Sequence, residues 1–156
     1  MAANRIKIAK DKAELVKALV ASKETTGPFQ TYVDAMVFAA ALGVKYKKRV
    51  PLGETVKREP SPIPQENFAS MGHDWIIKLL AINETHDIKI LSSREEEYED
   101  KRTQIFEEYA NGGLEILQNE LRGAVDYSER LLLVLISEID KQEKSNNEFD
   151  LSRFLT

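Results

Sequence analysis

The chain has 156 residues, no cysteine, and 26 acidic against 22 basic side chains for a net charge of −4, the profile of one mildly acidic domain of ordinary size. Without cysteine it can carry no disulfide framework, thiolate zinc site, iron–sulfur ligation or thiol catalysis. The charge is uneven: residues 1–58 hold 12 Lys/Arg and 5 Asp/Glu, residues 59–156 hold 10 and 21, so the two parts stand at +7 and −11.

Absence of cysteine fits a reducing cytoplasm, and the opening residues have no apolar stretch of signal-peptide length. The longest near-apolar run, 35–44, is half of what a bilayer requires, and 131–136 is shorter. The expectation is a soluble cytoplasmic protein with no membrane partner.

In chain order, Arg5-Ile6-Lys7-Ile8 alternates polar and apolar with the period of a half-buried strand. Asp11 with Glu14 forms a capping-box variant, and Leu15, Ala18, Leu19 and Ser22 follow at helical spacing. Thr26-Gly27-Pro28 stops that helix. Pro28 suits the first turn of the next one, which is expected to run to Leu42 with an apolar face through Tyr32, Val33, Met36, Val37 and Ala40, and to be closed by Gly43. Residues 44–64 are rich in Lys and Arg and end on Pro60, Pro62 and Pro64, which reads as an extended connector over the surface.

Phe68, Met71, Trp75, Ile76, Leu79 and Leu80 predict one helix over 65–82, with Trp75 as its central core residue. Residues 87–91 fit a strand or a helical extension equally. Ser93 with Glu96 is a second capping box, opening a charged helix that carries Arg102, Ile105, Phe106 and Tyr109 on one side. Gly112-Gly113 is expected to break or kink it, since each glycine costs about 1 kcal/mol relative to alanine in a helix interior. Leu114, Leu117 and Leu121 resume the pattern as far as Gly123. Asp126 with Glu129 caps a last helix whose Leu131, Leu132, Val134, Leu135, Ile136 and Ile139 are apolar almost all round, so it must be central or meet a partner. Residues 144–156 read as a polar tail with a small anchor of Phe149, Leu151, Phe154 and Leu155. The whole is expected to be mainly α, a compact bundle of five to six helices in a single domain 1–156. Its parts are a basic helical pair 1–43, the connector 44–64, an acidic helical part 65–143 and the tail.

The first candidate site is the basic set Arg5, Lys7, Lys10, Lys12, Lys45, Lys47, Lys48 and Arg49. Cations on one face neutralise phosphates and release counterions, the sequence-independent part of nucleic-acid affinity. The alternative is a solvated surface balanced by the acidic half, and only Tyr46 interleaves the lysines as a stacking platform would require. A basic strand followed by two helices has the order of a ribbon-helix-helix unit, in which strands of two subunits pair as a homodimer; a monomeric bundle accommodates the same residues.

Catalytic patterns are thin. His73-Asp74 and His86-Asp87 are the only His-Asp pairs, with Asp100 or Asp126 as a further ligand in a two-metal phosphohydrolase reading. Asp87-Ile88-Lys89 and Glu99-Asp100-Lys101 match a fragment of metal-dependent nuclease motifs. There is no G-x-x-x-x-G-K-[ST], G-x-G-x-x-G or G-x-S-x-G. No catalytic residue, metal or cofactor is expected. The double glycine, Gly112 and Gly113, allows close backbone approach by another helix or a ligand, with packing the favoured reading; with Leu131 and Leu135 it also makes a candidate protein interface.

The segment 31–43, Thr-Tyr-Val-Asp-Ala-Met-Val-Phe-Ala-Ala-Ala-Leu-Gly, with the basic stretch to Pro51-Leu52, and the segment 106–115, Phe-Glu-Glu-Tyr-Ala-Asn-Gly-Gly-Leu-Glu, together resemble the fourth family of small Dnd system-associated proteins, encoded beside DNA phosphorothioation genes. The likeness covers roughly residues 5–140. The opening strand and helices are also loosely similar to the E component of that system, a small DNA-binding protein of ribbon-helix-helix type. The resemblance implies an accessory role in bacterial defence, in placing sulfur in the DNA backbone or in the restriction arm that reads it, with other defence-system proteins as partners. It implies no catalytic residue, because sulfur insertion rests on a cysteine desulfurase and an iron–sulfur protein. The expected function is DNA binding through the basic face, the alternative a helical protein–protein interaction module.

Overall fold

A computed structural model describes residues 4–154, and side chains as far as residue 145. The architecture is mainly α, with six α-helices and one two-stranded sheet among the described residues. Strand β1 (Arg5–Ile6) pairs antiparallel with β2 (Ile63–Pro64), Arg5 opposite Pro64 and Ile6 opposite Ile63. The alternating pattern therefore does form a strand with Ile6 and Ile8 buried. Its partner belongs to the same chain, so the ribbon closes internally instead of across two subunits. Farther along, the Lys10 amide donates to the Glu54 carbonyl at 2.8 Å and Val56 to Ile8 at 2.9 Å, which fastens the connector alongside the N-terminus.

Helix α1 (Ala13–Leu19) follows a 3-10 turn at Lys10–Lys12 and has no side-chain cap. The expected Asp11–Glu14 box is absent because Asp11 lies inside the 3-10 turn and Lys12 holds the N-cap position; the Asp11 carboxylate instead accepts from Lys12 Nζ at 3.1 Å. Helix α2 (Tyr32–Lys45) starts four residues after Pro28 because Thr31 caps it, its hydroxyl accepting from the Asp34 amide at 3.1 Å. It also runs through Gly43, which is buried and does not close the helix.

The expected single helix over 65–82 is two, α3 (Gln65–Ser70) and α4 (Asp74–Thr85). Gly72 at φ 76° sits between them in the left-handed region that glycine occupies at no steric cost. The break resets the helical phase. Ile77, Leu80 and Ala81 become the buried face of α4, and Trp75, two residues before Ile77 and so about 200° around the axis, is 55% exposed. Phe68 takes the core position, edge-on to Phe106 with ring centroids 5.4 Å apart. The undecided segment after α4 is a 3-10 turn, Ile88–Leu91, capped by Asp87.

Helix α5 (Glu96–Glu120) is continuous through Gly112 and Gly113. Glu95 stands at its N-cap position with no side-chain cap, so the expected Ser93 box does not form. The glycines are where α5 crosses α2. A Cβ on Gly113 would overlap the Ala39 carbonyl oxygen, one on Gly43 the Tyr109 carbonyl, and one on Gly112 the Lys48 carbonyl. Small residues on both helices, Ala35, Ala39, Ala40 and Ala110 included, let the two backbones touch, and the packing regained offsets the propensity that the glycines forfeit. Gly112 and Gly113 are thus an internal contact and not a protein interface.

Helix α6 (Tyr127–Phe154) begins as expected, with Asp126 accepting from the Glu129 amide at 3.2 Å. It continues where a tail was expected. Leu131 is 5% exposed and belongs to the core cluster, not to an outer surface. The expected anchor of Phe149, Leu151, Phe154 and Leu155 lies outside the described side chains. No helix among the described residues is long and apolar enough to cross a membrane.

Candidate functional site

The eight basic residues do not form one open patch. Arg49 leaves the connector toward α4 and α5, with Nη1 2.8 Å from Glu84 and Nε 3.3 Å from Glu108. Gln104 donates to the other Glu108 oxygen at 3.2 Å, and the Tyr109 hydroxyl donates to Glu84. That hydroxyl, with the nearby guanidinium, holds the Glu84 carboxyl below the ordinary range; burial and the Glu84 charge raise Tyr109. The cluster is a closed network. Asn111 completes it by donating to the carbonyls of Val50 and Pro51, each at 3.2 Å, which pins the connector along α5.

Lys45 and Lys48 are also engaged. Lys45 Nζ lies 3.2 Å from Glu138 on α6, and Lys48 Nζ 3.6 Å from Glu115 on α5. Glu138 is drawn down to about 2 by the Tyr46 hydroxyl, Lys45 and Lys141, and Tyr46 is pushed up to about 12 by the same carboxylate. Lys10 pairs with Glu54 at 3.2 Å, and Lys12 is buried with its Nζ on Asp11. Arg5 donates to the Pro62 carbonyl at 3.4 Å. Lys7 is exposed, and its amide donates to Glu107, whose carboxyl burial raises to about 7 against the pull of that bond. Lys47, exposed at φ 52°, has no carboxylate partner among the described residues.

Five of the eight cations are therefore neutralised by carboxylates of this chain. The acids that meet Lys45, Lys48 and Arg49 are far away in sequence, which is why the run at 45–49 looked free. The histidines stand at opposite ends of α4, His73 at its N-cap and His86 at its C-cap, about 20 Å apart at the helical rise. They do not share a site: His73 faces Asp34 at 3.6 Å. Among the described residues no group of three or more His, Asp or Glu side chains is placed to hold a metal ion.

Large apolar side chains also stand open. On α4, Trp75 and Leu79 are 55% and 51% exposed one turn apart, continued by Met71. On α6, Leu132, Leu133, Leu135, Ile136 and Ile139 are all exposed. Of the expected interface residues, only Leu135 lies at such a surface. It also lines a groove of about 510 Å³ between α6 and the α2–α5 pair, with Phe38, Leu42, Leu117 and Val134. Trp75 was legible as a surface residue only through Gly72, whose break puts it out of phase with Ile77.

No curated protein and no solved structure matches this chain. The family described as DNA sulphur modification system-associated protein 4 matches residues 5–154, nearly the whole sequence and every helix described above, so the chain belongs to that family.

Proposed function

We propose that this protein is a non-catalytic assembly component of a DNA sulphur modification system, joining proteins of the system through exposed apolar helix faces and not holding DNA on its basic residues. The observation that carries the reading is the contrast between its two surface chemistries. Five of the eight basic residues are tied to the chain's own carboxylates, whereas large apolar side chains on α4 and α6 stand open. Releasing Arg49 to a phosphate would strand Glu108, which is only 8% exposed, without its guanidinium. An exposed Trp beside Leu, by contrast, is the residue type that anchors protein interfaces.

Two measurements test this. In an electrophoretic shift with duplex DNA, binding is expected to be weak at low salt, and Lys47→Ala with Lys48→Ala and Arg49→Ala to leave its salt slope unchanged. A steep fall of affinity with salt, with a slope cut by about three units in that triple variant, would restore the DNA-binding reading. In co-expression with the other proteins of such a system, co-purification is expected to survive high salt and to be lost with Trp75→Ala.

A further inference from the structure

The groove between α6 and the α2–α5 pair has the build of a small-molecule site. At about 510 Å³ it falls within the roughly 300–1,000 Å³ of such sites. Its walls are apolar: Phe38 and Leu42 from α2, Ile116 and Leu117 from α5, Val134 and Leu135 from α6. Helix α6 enters the core at Leu131 and is tied down again at Glu138, about 10 Å farther along at the helical rise. Between those two anchors it stands off its neighbours, and Leu135 stays 41% exposed.

Charge gives the groove a direction. On α2, Phe38 and Leu42 come first, and Lys45 and Lys48 follow, Lys48 just past the helix end; on α6, Leu131 and Val134 come before Glu138 and Lys141. The Lys45–Glu138 pair at 3.2 Å sets these ends side by side. One end of the groove is therefore apolar and the other charged. The charged end is rich in donors, since each of its three ammonium groups has three N–H bonds to give. Lys45 and Lys141 each spend one, both on Glu138, at 3.2 and 3.4 Å. Lys48 stands 3.6 Å from Glu115, which is not part of the lining, and that is too far for a hydrogen bond. Against Lys45, Lys48 and Lys141 the lining holds two carboxylates, Glu120 and Glu138, a surplus of one positive charge. The Glu138 carboxyl, drawn down to about 2 by the Tyr46 hydroxyl and the two lysines, registers the same donor-rich field.

We infer that this groove is a binding site for a small amphipathic carboxylate, its aliphatic tail between Phe38, Leu117 and Val134 and its head on the ammonium groups of Lys45, Lys48 and Lys141. A monocarboxylate supplies the one negative charge that the lining lacks. A neutral molecule of the same shape leaves the surplus unmatched, and a cation is repelled by it. The tail has the stretch of about 10 Å between Leu131 and Glu138 to fill. The site draws on neither Trp75 nor the outward side chains of α6, so it stands apart from the assembly reading.

An NMR titration of the full chain tests it, with decanoate below its micelle concentration as the probe. Amide shifts of Leu42, Ile116 and Val134 are expected to move and saturate, while those of Trp75 and Leu79 stay in place. Decanoate should bind about tenfold more tightly than decanol, and decylammonium more weakly than either. Lys45→Met with Lys48→Met leaves Glu120 and Glu138 to dominate the charged end and should reverse that order. Ala41→Trp fills the groove and should abolish binding of all three. Ala41 and Lys45 are exposed and Lys48 is half-buried, and far-UV circular dichroism with a urea melt checks that the variants keep the fold. Glu138→Gln keeps every lysine and removes the competing carboxylate, so it should tighten decanoate several-fold and tests the charge argument in a second variant. No saturable shift at millimolar decanoate overturns the site. So do shifts confined to Leu132 and Ile136 on the outward face, equal affinity for decanoate and decanol, or an affinity that Glu138→Gln leaves unchanged.

Discussion

Gly113→Ala probes the crossing of α2 and α5 on which the fold depends. The added methyl carbon would stand 2.5 Å from the Ala39 carbonyl carbon and 3.0 Å from its Cα, where ordinary contact begins at 3.4 Å. The nearest obstructing atom is the Ala39 carbonyl oxygen, which like the carbon behind it is backbone and cannot rotate aside, so the two helices must part by more than about 1 Å along a close-packed seam. Overpacking of this kind costs about 3 kcal/mol at the upper end of its usual range. Alanine returns about 1 kcal/mol through its better helix propensity. The expected net loss is about 2 kcal/mol, a drop in Tm of roughly 4–8 °C for a chain of this length. Urea denaturation followed by circular dichroism measures it. Gly123→Ala is the control: nothing lies within 4 Å of its Cβ position, and its φ of 76° alone should cost about 1 kcal/mol. A Gly113→Ala variant as stable as the parent, or more so, would refute the close crossing.

Three further outcomes follow from particular contacts. The Glu107 carboxyl is raised to about 7 by burial, so between about 4.3 and 7 the folded state holds a proton that the unfolded chain has released; stability should fall by up to about 4 kcal/mol as pH rises through that window. Urea melts at pH 5 and 7.5 should show the decline, and Glu107→Gln should flatten it. Arg49→Ala leaves the buried Glu108 with Gln104 as its side-chain partner and should cost about 2 kcal/mol without altering DNA affinity; a neutral variant with lost DNA binding would contradict the network. Thr31→Ala removes the α2 cap and should cost about 1 kcal/mol, whereas Ser93→Ala, away from the Glu95 cap position, should stay within about 0.5 kcal/mol of the parent in the same thermal melts.

Much of this molecule was legible from local pattern. Helical content, the strand at Arg5, the Asp126 cap and the end of α5 before Gly123 all depend on residues within a turn or two of one another, and there propensity and periodicity speak directly. The family resemblance, carried by residues 31–43 and 106–115, likewise agrees with the family match over 5–154. Capping boxes were less reliable. Asp11 and Ser93 have the right spacing, but a capping oxygen works only if its backbone leaves the helix at that residue, and tertiary packing set the starts at Ala13 and Glu96 instead.

The sequence by itself therefore determined that this is a mainly helical chain with a basic beginning, an acidic remainder and one helix too apolar to be content with solvent. Only the tertiary structure decided what those features meet. Arg49 and Glu108 are 59 positions apart, and Lys45 and Glu138 are 93 apart, so no local reading can tell a free cation from a neutralised one. Gly113 looked like a break until Ala39 occupied the space its missing side chain leaves. Trp75 looked like core until Gly72 turned the helix beneath it. In each case the sequence supplies the side chain, and the fold supplies its neighbour, because burial and ion pairing depend on distances through space that are set by all the helices at once.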